Sequence, residues 1–492
     1  MVQDGLFQLG DLLDGIVSGL AFLQPEVTLV ITFLLSIFSG LFLARKNAIT
    51  SLIAVLGLLV SAYFSWKQLA LEPGFYLFGD MLYLEGGLAK MKLLLIFAAL
   101  FFIVLVHLSK FFTAHEKGIN DLISILLVLL LGLHIWIMAN NWLLVYVAIE
   151  MISVASYILV GYLARDRKQS EAAVKYVVFG TVCSAFMLYG MSLLYGLTGS
   201  LSLQNMEGFA LGLMQRPMLA LSISMIFVGL GFKLSFVPFH FWSPDIYQGA
   251  PAAVVGFIST APKLAAFTFL LRLLQVYIAV GGELWEYLRY GLIVISIATM
   301  LVGNFAALRQ QNLKRLMAYS SIGHTGFVMM LVVADPLQGY SAIFFYLLVY
   351  LLTNMGVFSL IGHLEEDHGI INIKQLRGLG KVHALWGVGF AVAMVSLTGL
   401  PPTAGFAAKL FIFAGTFTAY QSSGDLTILL LLITGALATV VALFFYFKIP
   451  LYLFLKEGNA INRGGNWRLV SLFSIILALT LLFIGIFPSF FY

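Results

Sequence analysis

Long apolar stretches separated by short polar ones run along the whole chain. About fourteen of them are long enough, at roughly 20 residues, to cross the hydrocarbon core of a bilayer as a helix. Their apolar positions are continuous rather than alternating, which indicates helices and not the strands of a membrane barrel. The pattern therefore predicts an all-α polytopic membrane protein. The stretches lie at 27–44, 48–66, 93–112, 122–140, 142–163, 172–198, 218–241, 251–275, 290–308, 316–334, 340–363, 384–418, 427–454 and 469–491.

Two of these stretches are predicted to be broken helices. In the seventh, Pro238 follows Lys233 by five residues, and a proline removes a backbone donor and disturbs the preceding turn. The twelfth is over-long and contains Pro401-Pro402, about two turns before Lys409. Freed carbonyls at membrane depth are tolerated only where protein or a hydrated cavity satisfies them. Two broken helices with nearby lysines are typical of internally repeated transporters with sites at the midplane.

The segments outside the spans are short. In the connection 72–90, two aromatic-rich runs flank Gly79-Asp80, which predicts a β-hairpin, with an interfacial loop as the alternative. The apolar patch within 5–23 is interrupted by acidic residues and is interpreted as an interfacial segment. The acidic cluster that begins at Glu365 is interpreted as a solvated loop. The longest connections, 199–217 and 364–383, are too short to fold alone around a core.

Composition and charge add to this picture. The chain of 492 residues is 61% hydrophobic and only 10% charged. Seventeen of its 27 Lys and Arg residues follow odd-numbered spans, six lie on the other side, and four lie inside spans. By the positive-inside rule the seventeen mark the cytoplasmic face, so both termini are predicted on the outer face. The seventeen include Arg45, Lys46, Lys110, Lys117, Arg165, Lys314 and Arg463, and the six include Lys90, Lys92 and Arg272.

No redox centre is recognisable in the sequence. Cys183 is the only cysteine, so the chain cannot supply the four thiolates of an iron–sulfur cluster. Strand–helix alternation with a glycine-rich turn, the pattern of a nucleotide or flavin site, does not occur. The eight histidines are scattered without a ligand pair at helical spacing. Redox chemistry and quinone reduction are therefore expected on other chains.

Five charged side chains lie inside the predicted spans, namely Glu150, Lys175, Lys233, Lys263 and Lys409. A charge at bilayer depth costs about 2.5–3.5 kcal/mol on insertion scales, so proton handling is the leading explanation. Structural ion pairing and snorkelling are the alternatives. For Lys175 these alternatives carry the same weight as a role in proton transfer, because the residue lies about one turn inside its span with Glu171 four residues earlier.

Histidines are weaker candidates for proton transfer. His324 lies in the run Ser-Ser-Ile-Gly-His-Thr-Gly, where small and hydroxylated neighbours can hold a water chain. Some of these hydroxyl groups could instead serve only as interhelical contacts. The neighbours expected to line the same path are Tyr319, Ser320, Ser321 and Thr325. Three other histidines are interpreted as interhelical contacts rather than relays, namely His107, His134 and His240.

Four segments make the family resemblance specific. They are GFKLSFVPFHFWSPDIYQGAP (231–251), STAPKLAAF (259–267), ALRQQNLKRLMAYSSIGHTG (307–326) and LTGLPPTAGFAAKL (397–410). These segments resemble the proton-conducting membrane subunits of respiratory complex I and of multisubunit cation/proton antiporters. Within that family the length and the lysine in the twelfth span are most similar to the N-type subunits of NADH:quinone oxidoreductase.

The resemblance implies a division of the chain and a relay. It implies N-terminal helices with the outer hairpin over 1–121, inverted five-helix repeats over 122–275 and 290–454, and a last helix in 455–492. Glu150 and Lys233 are implied to be a carboxylate–ammonium pair, worth roughly 4 kcal/mol at about 4 Å and an effective dielectric near 20. Lys263 is implied to be the central relay and Lys409 the terminal one, with His324 between them.

Three functions remain open at this point. The first is a non-redox, proton-translocating subunit of NADH:quinone oxidoreductase in a bacterial cytoplasmic membrane. NADH, flavin, iron–sulfur clusters and quinone would then bind to partner subunits, which include neighbouring antiporter-like subunits. The second is a subunit of a cation/proton antiporter. The third, a purely structural membrane subunit, is disfavoured by the series of intramembrane lysines.

Overall fold

The structure is a computed structural model that describes residues 17–42, 47–115, 118–164, 167–204, 216–280, 282–457 and 467–491. In these ranges the chain forms nineteen α-helices and one two-stranded sheet. The helices are α1 (Gln24–Phe42), α2 (Asn47–Lys67), α3 (Gly86–Leu108), α4 (Lys110–Thr113), α5 (Asn120–Met138), α6 (Trp142–Gly161), α7 (Arg167–Thr198), α8 (Arg216–Leu234), α9 (Trp242–Gly249), α10 (Ala252–Ile258), α11 (Ala261–Val280), α12 (Gly282–Leu308), α13 (Leu313–Ala334), α14 (Tyr340–His368), α15 (Leu379–Val382), α16 (Ala384–Thr398), α17 (Ala404–Ser423), α18 (Leu426–Pro450) and α19 (Trp467–Ile486).

Thirteen segments of the described chain are helical, long and apolar enough to cross a membrane. They correspond to thirteen of the predicted stretches. The remaining stretch, 384–418, is the pair α16 and α17, so the predicted all-α polytopic membrane fold is confirmed. A π-helical turn, Leu451–Leu455, extends α18.

Both predicted helix breaks are present. Helix α8 ends at Leu234 and α9 begins at Trp242, with Ser235 in the left-handed region at φ +56° between them. Helix α16 ends at Thr398, and α17 begins at Ala404 after Gly399 at φ +86°. In each break a residue with positive φ ends the first half-helix, a conformation that glycine adopts at the least cost.

A third break was not expected from the sequence. The stretch 251–275 reads as one continuous span, but it divides into α10 and α11 at Ser259 and Thr260. The two hydroxyl groups donate to the carbonyl of Gly256 at 3.0 and 2.8 Å, which satisfies an acceptor freed at the break. Pro262 then stands in the first turn of α11, where its missing N–H costs nothing. Lys263 therefore lies at the start of a helix.

The predicted hairpin is confirmed, with shorter strands than expected. Strands β1 (Phe75–Leu77) and β2 (Leu82–Leu84) pair antiparallel, and Tyr76 faces Tyr83. The turn takes four residues rather than two. An isolated bridge joins Leu82 to Ala139, immediately after α5. The hairpin thus covers the end of α5.

Burial divides the helices into central and peripheral ones. Side chains of α10, α11 and α13 are almost all buried, whereas α1, α2, α7 and α19 leave broad apolar faces exposed. An apolar face that would be unfavourable in water is expected where lipid is the solvent. Lys263 and His324 lie on the central helices and are both buried.

The acidic cluster of the predicted solvated loop is instead the last turn of α14. Glu365 pairs with Lys314 at 2.9 Å, Asp367 pairs with Lys110, and Glu366 accepts a hydrogen bond from Ser109 at 2.7 Å. These contacts fix α14 to α4 and α13. The interpretation as a solvated loop is therefore wrong.

Some predicted features cannot be placed. Most of the predicted interfacial segment lies outside the described residues, as do several of the basic residues that fix the predicted orientation. The latter are Arg45, Lys46, Lys117, Arg165 and Arg463. The outer position of the termini stays a prediction.

Candidate functional site

Lys233 lies where α8 breaks, and only 5% of it is exposed. Its Nζ donates a hydrogen bond to Oγ of Ser153 on α6 at 2.7 Å. Glu150 lies one turn earlier on α6 and accepts a hydrogen bond from Ser184. No ion pair within 4.0 Å joins Glu150 to Lys233, although both residues are described. The implied pair is thus two neighbouring charges, each held by a serine, and the direct contact at about 4 Å is a wrong expectation.

Lys263 is held by three oxygen atoms of α13. Its Nζ donates to Oγ of Ser321 at 2.7 Å, to Oγ1 of Thr325 at 2.9 Å and to the Ser321 carbonyl at 3.1 Å. All three acceptors are uncharged. The Thr325 hydroxyl also donates to the Leu234 carbonyl at 3.0 Å. One hydroxyl group therefore joins the end of α8, next to Lys233, to the ammonium group of Lys263.

Two polar side chains of α14, Tyr350 and Asn354, connect the surroundings of Lys263 to the third helix break. The Tyr350 hydroxyl donates to Oγ of Ser321 at 2.7 Å, and it also approaches the carbonyl of Ser259 at 3.3 Å. One turn further along α14, Asn354 donates to Oγ of Ser259 at 2.6 Å. The third helix break is therefore part of the hydrogen-bonded surroundings of Lys263.

His324 follows Ser321 on the same helix and is bonded through both ring nitrogens. Nδ1 is 2.7 Å from the Tyr346 hydroxyl, and Nε2 is 2.9 Å from the Tyr446 hydroxyl. Ser320 forms a hydrogen bond with the same Tyr446 hydroxyl. An imidazole ring whose two nitrogens are each hydrogen-bonded to a hydroxyl group can accept a proton at one nitrogen and release a proton from the other.

Lys409 lies beyond His324 at the second break. Its Nζ donates to the Thr398 carbonyl at 2.8 Å and lies 4.7 Å from the centre of the Phe327 ring. A cavity of about 10 Å³ between this lysine and His324 is also lined by Tyr346 and Tyr350. A cavity of that size holds about one water molecule. The polar groups thus extend across the centre of the bundle from Lys233 to Lys409.

Lys175 belongs to a different cluster. It is 38% exposed at the side chain and pairs with Glu171 at 2.7 Å and Asp245 at 3.0 Å. Arg315 binds the other oxygen of Asp245 at 2.7 Å. Burial opposes ionisation of Asp245, but the hydrogen bonds from the two cations outweigh it and lower the pKa of that carboxyl group. These pairs fasten α9 to α7 and α13, which fits the local surface pair considered for Lys175.

Several polar residues of this region were missed in the sequence. The tyrosines at 346, 350 and 446 lie in apolar spans and resemble core aromatics. A signal existed for two of them, because Tyr346, Tyr350 and Asn354 recur every four residues along one helix face. Among the expected lining residues, Ser320, Ser321 and Thr325 lie in the path, whereas Tyr319 packs against the apolar core.

Lys92 is the charge that the sequence pattern misplaced. Its position before an apolar run indicates an outer connection, but it lies inside α3 and is fully buried. Its Nζ pairs with Glu26 of α1 at 2.8 Å. His134 of α5, interpreted as an interhelical contact, binds the same carboxylate oxygen at 3.1 Å. Within the described chain no group of three or more His, Cys, Asp or Glu side chains is arranged to hold a metal ion.

Comparison with known proteins agrees with this architecture. A family model described as "NADH:quinone oxidoreductase/Mrp antiporter, TM" matches residues 139–438. NADH-quinone oxidoreductase subunit N 2 of Chloroherpeton thalassium is 35% identical, over 92% of this chain and 88% of its own length. NADH-quinone oxidoreductase subunit N of Rhodospirillum rubrum is 34% identical over 88% of each chain.

Solved structures give the same result. A chain of respiratory complex I from Thermus thermophilus with bound aureothin has a TM-score of 0.77 and 30% identity, over 94% of this chain and 97% of its own. A chain of the membrane-bound sulfane sulfur reductase, an archaeal respiratory membrane complex, has a TM-score of 0.82 at 24% identity and so shares the fold. Since the family model covers more than half of the sequence, the chain belongs to the NADH:quinone oxidoreductase/Mrp antiporter family of membrane proteins.

Proposed function

We propose that this chain is a proton-translocating membrane subunit of an NADH:quinone oxidoreductase and carries no redox centre of its own. Quinone reduction elsewhere in the complex would supply the free energy. NADH, flavin, iron–sulfur clusters and quinone would bind to partner subunits, and other membrane subunits, including antiporter-like ones, would lie beside this chain. The names of the relatives, which are subunits N of such enzymes, support the proposal.

The observation that carries the proposal is the row of polar groups between the two helix breaks. It contains Lys233, Lys263, His324 and Lys409, whose hydrogen-bond partners are hydroxyl and carbonyl groups, with room for about one water molecule between His324 and Lys409. Two further intervals in the row are not closed by a hydrogen bond between described residues. Thr325 reaches the Leu234 carbonyl rather than Lys233 itself, and Tyr350 meets His324 only across the cavity that both line. A proton would cross these intervals through water or a change of side-chain rotamer, without a large movement of the helices.

The charges supply the coupling. Lys263 and Lys409 have only uncharged oxygen atoms as hydrogen-bond partners. Two unit charges about 10 Å apart interact by roughly 1.7 kcal/mol at an effective dielectric of 20. A change of charge at Glu150 or Lys233 therefore alters the tendency of Lys263 to keep its proton. Passing the proton to His324 and then to Lys409 would repeat the effect at the next site.

We assign two inverted five-helix repeats to 122–275 and 290–454, with the predicted break beside Lys233 in the first and the predicted break before Lys409 in the second. Residues 1–121 would form the N-terminal helices with the hairpin on the outer face, and 455–492 the last helix. Both termini would face outward from a bacterial cytoplasmic membrane, in line with the positive-inside distribution of lysine and arginine. Lys175 would serve as an anchor for α9 rather than as a member of the row.

A cation/proton antiporter subunit is the alternative, because the family description also names Mrp antiporters. The two functions differ in what they require. Proton pumping by the oxidoreductase depends on NADH and quinone, whereas exchange by an antiporter depends on a gradient of Na⁺ or another cation. Pumping in sealed vesicles that is unchanged when Na⁺ is replaced by choline would support the oxidoreductase.

The decisive test is substitution of the two lysines by arginine. Arginine keeps the positive charge but does not release its proton at physiological pH. Lys263→Arg and Lys409→Arg should keep the assembled complex and its NADH:quinone reductase activity with an artificial quinone, but depress proton pumping in sealed vesicles. Lys263→His keeps a titratable group and controls for size. Wild-type pumping in both arginine variants would show that the lysines are fixed charges.

A further inference from the structure

A buried charged cluster lies apart from the row between the two breaks. It consists of Glu26 on α1, Lys92 on α3 and His134 on α5, which we call the N-terminal triad. None of the three residues is more than 5% exposed. Oε1 of Glu26 binds both Nζ of Lys92, at 2.8 Å, and Nδ1 of His134, at 3.1 Å.

The hydrogen bonds fix the tautomer of His134. A carboxylate oxygen only accepts hydrogen bonds, so Nδ1 must carry the hydrogen that it donates to Glu26. In the neutral ring the other nitrogen, Nε2, then bears a lone pair. Nε2 is buried and has no hydrogen-bond partner among the described residues, and neither has Oε2 of Glu26. The triad therefore presents one unpartnered proton acceptor on the ring and one on the carboxylate.

Protonation of His134 would change the net charge of the triad from zero to plus one. With neutral His134 the charges of Glu26 and Lys92 cancel. A proton on Nε2 makes an imidazolium ion without breaking either hydrogen bond to Glu26, and the carboxylate that holds Nδ1 stabilises the new charge. The charged groups that act on His134 from the neighbouring helices are Glu26, which favours the imidazolium, and Lys92, which opposes it. Burial is the largest influence and also opposes the imidazolium, so the triad favours the neutral ring and would hold an added proton only weakly.

The triad lies close to the hairpin side of the bundle. Glu26 is the third residue of α1, Lys92 the seventh of α3, and His134 the fifth from the end of α5. At 1.5 Å per residue, each lies within about 9 Å of the helix end that meets the hairpin. The connection is polar, because Lys92 also donates to Gln68 at 3.0 Å, and Gln68 donates to the Phe22 carbonyl at 2.6 Å.

The hairpin and one arginine cover this end. The backbone of Asn140 donates to the Met81 carbonyl at 2.8 Å, which attaches the chain after α5 to the hairpin. Arg272 donates to the carbonyls of Ile137 and Ala139 at 2.7 and 3.1 Å and stacks on the ring of Tyr83 at 5.1 Å. The cover thus combines these polar contacts with apolar packing, since Leu77, Leu82 and Leu84 of the hairpin are buried.

We propose that the N-terminal triad is a second proton-binding site, which takes up a proton on Nε2 of His134 and exchanges it with the hairpin side of the membrane. The step adds one proton to an imidazole and gives an imidazolium ion, and no other bond changes. The inference rests on the proposed function only for its role in pumping. Proton binding at His134 is itself independent of the row of polar groups between Lys233 and Lys409.

The test uses the whole complex with His134→Asn. Asparagine places its amide N–H where Nδ1 was, so it keeps a donor for Glu26 but has no Nε2 to protonate. His107→Asn is the matched control, because His107 lies on α3 and both of its nitrogens have partners, the Ile103 carbonyl at 2.8 Å and Oγ of Ser51 at 3.0 Å. If His134→Asn does not assemble, His134→Gln replaces it.

The first measurement is direct. Purified complex carrying ¹⁵N-labelled histidine in this chain is titrated by nitrogen NMR. A signal that converts from imidazole to imidazolium, is lost in His134→Asn and is kept in His107→Asn supports the site. A His134 signal that keeps one protonation state between pH 5 and pH 9 overturns it.

The second measurement concerns pumping. In sealed vesicles, His134→Asn should lose the dependence of pumping on the pH of the hairpin side, whereas His107→Asn keeps it. Unchanged dependence in His134→Asn means that the triad takes no part in proton exchange. If Lys263→Arg pumped normally while the His134 signal still titrated, the proposed relay would fail and the proton-binding site would stand.

Discussion

The hydroxyl group of Ser321 provides a sharp test of how Lys263 works. Its Oγ accepts a hydrogen bond from the ammonium group at 2.7 Å, which is the shortest of three. A hydrogen bond to a charged group contributes about 1.5–3 kcal/mol. Ser321→Ala removes this bond, while the Thr325 hydroxyl and the Ser321 carbonyl still hold the ammonium group. The charged form of Lys263 therefore loses stability relative to the neutral form.

The sign and size of the effect follow. Since the substitution destabilises the charged form, Lys263 releases its proton at a lower pH than in the wild type. We call the fall of the pumping rate on the alkaline side of its pH profile the alkaline limb. One pH unit corresponds to 1.36 kcal/mol, so the loss of about 1.5–3 kcal/mol should move the midpoint of this limb by about one to two pH units toward acid. The assay is proton pumping by sealed vesicles between pH 6 and pH 9, normalised to the amount of assembled complex.

Ser296→Ala is the matched control. Ser296 is a buried serine on the neighbouring helix α12, and its hydroxyl donates to the Gly326 carbonyl at 3.0 Å without touching a lysine. It should leave the alkaline limb in place. If Ser321→Ala and Ser296→Ala both gave the wild-type limb, Lys263 would not deprotonate during turnover. A shift toward alkaline pH would refute the assignment of Ser321 as the acceptor of this hydrogen bond.

Three further predictions concern the rest of the site. Glu150→Gln and Lys233→Met, combined in a double-mutant cycle of pumping, should show a coupling free energy of about 1–2 kcal/mol, well below the roughly 4 kcal/mol of a direct pair, because no contact within 4.0 Å joins them. Gly405→Ala should abolish accumulation of the subunit in membranes by immunoblot, since its Cβ would lie 1.7 Å from a carbonyl of α16, whereas Gly196→Ala, with open space around it, should be harmless. Asp245→Asn should lower thermal stability by about 0.2–1 kcal/mol, the range of exposed pairs. Because the pKa of Asp245 is lowered, its contribution to the stability of the complex should be present above about pH 4, the ordinary carboxyl range, and should be lost only as the pH falls further. Differential scanning calorimetry of the complex at several pH values can check this.

The sequence predicted helix breaks best where one residue close to the break causes it. Pro238 and Pro401 lie within a few residues of their breaks, and a proline disturbs its own helix whatever packs against it. A proline, Pro262, also lies beside the break between α10 and α11, but it stands in a span of ordinary length and does not by itself distinguish a break from a continuous helix. The break is satisfied by hydroxyl groups of Ser259 and Thr260, and either residue is equally compatible with a continuous helix.

The candidate site was predictable in its charges but not in its connections. A lysine in an apolar span is visible in the sequence, because its cost at that depth has to be compensated. The hydroxyl groups that bind the other members of the site are not visible. Tyr446, which binds His324, lies more than 120 positions from it, and tyrosine is also an ordinary core residue. Lys92 was misplaced for the same reason. Its burial depends on a partner in α1, 66 positions earlier.

The partners of the buried lysines separate them into two kinds. Lys92 faces a carboxylate, so losing its proton would leave Glu26 as an unpaired buried charge, which is strongly unfavourable. Lys263 and Lys409 face only hydroxyl and carbonyl oxygen atoms, and their deprotonation leaves no such charge. A lysine that exchanges its proton in each turnover belongs to the second kind. In the N-terminal triad the ammonium group is therefore the fixed member. Protonation of Glu26 would likewise leave Lys92 as an unpaired buried charge, so we assign the exchanged proton to His134, whose Nε2 has no partner among the described residues.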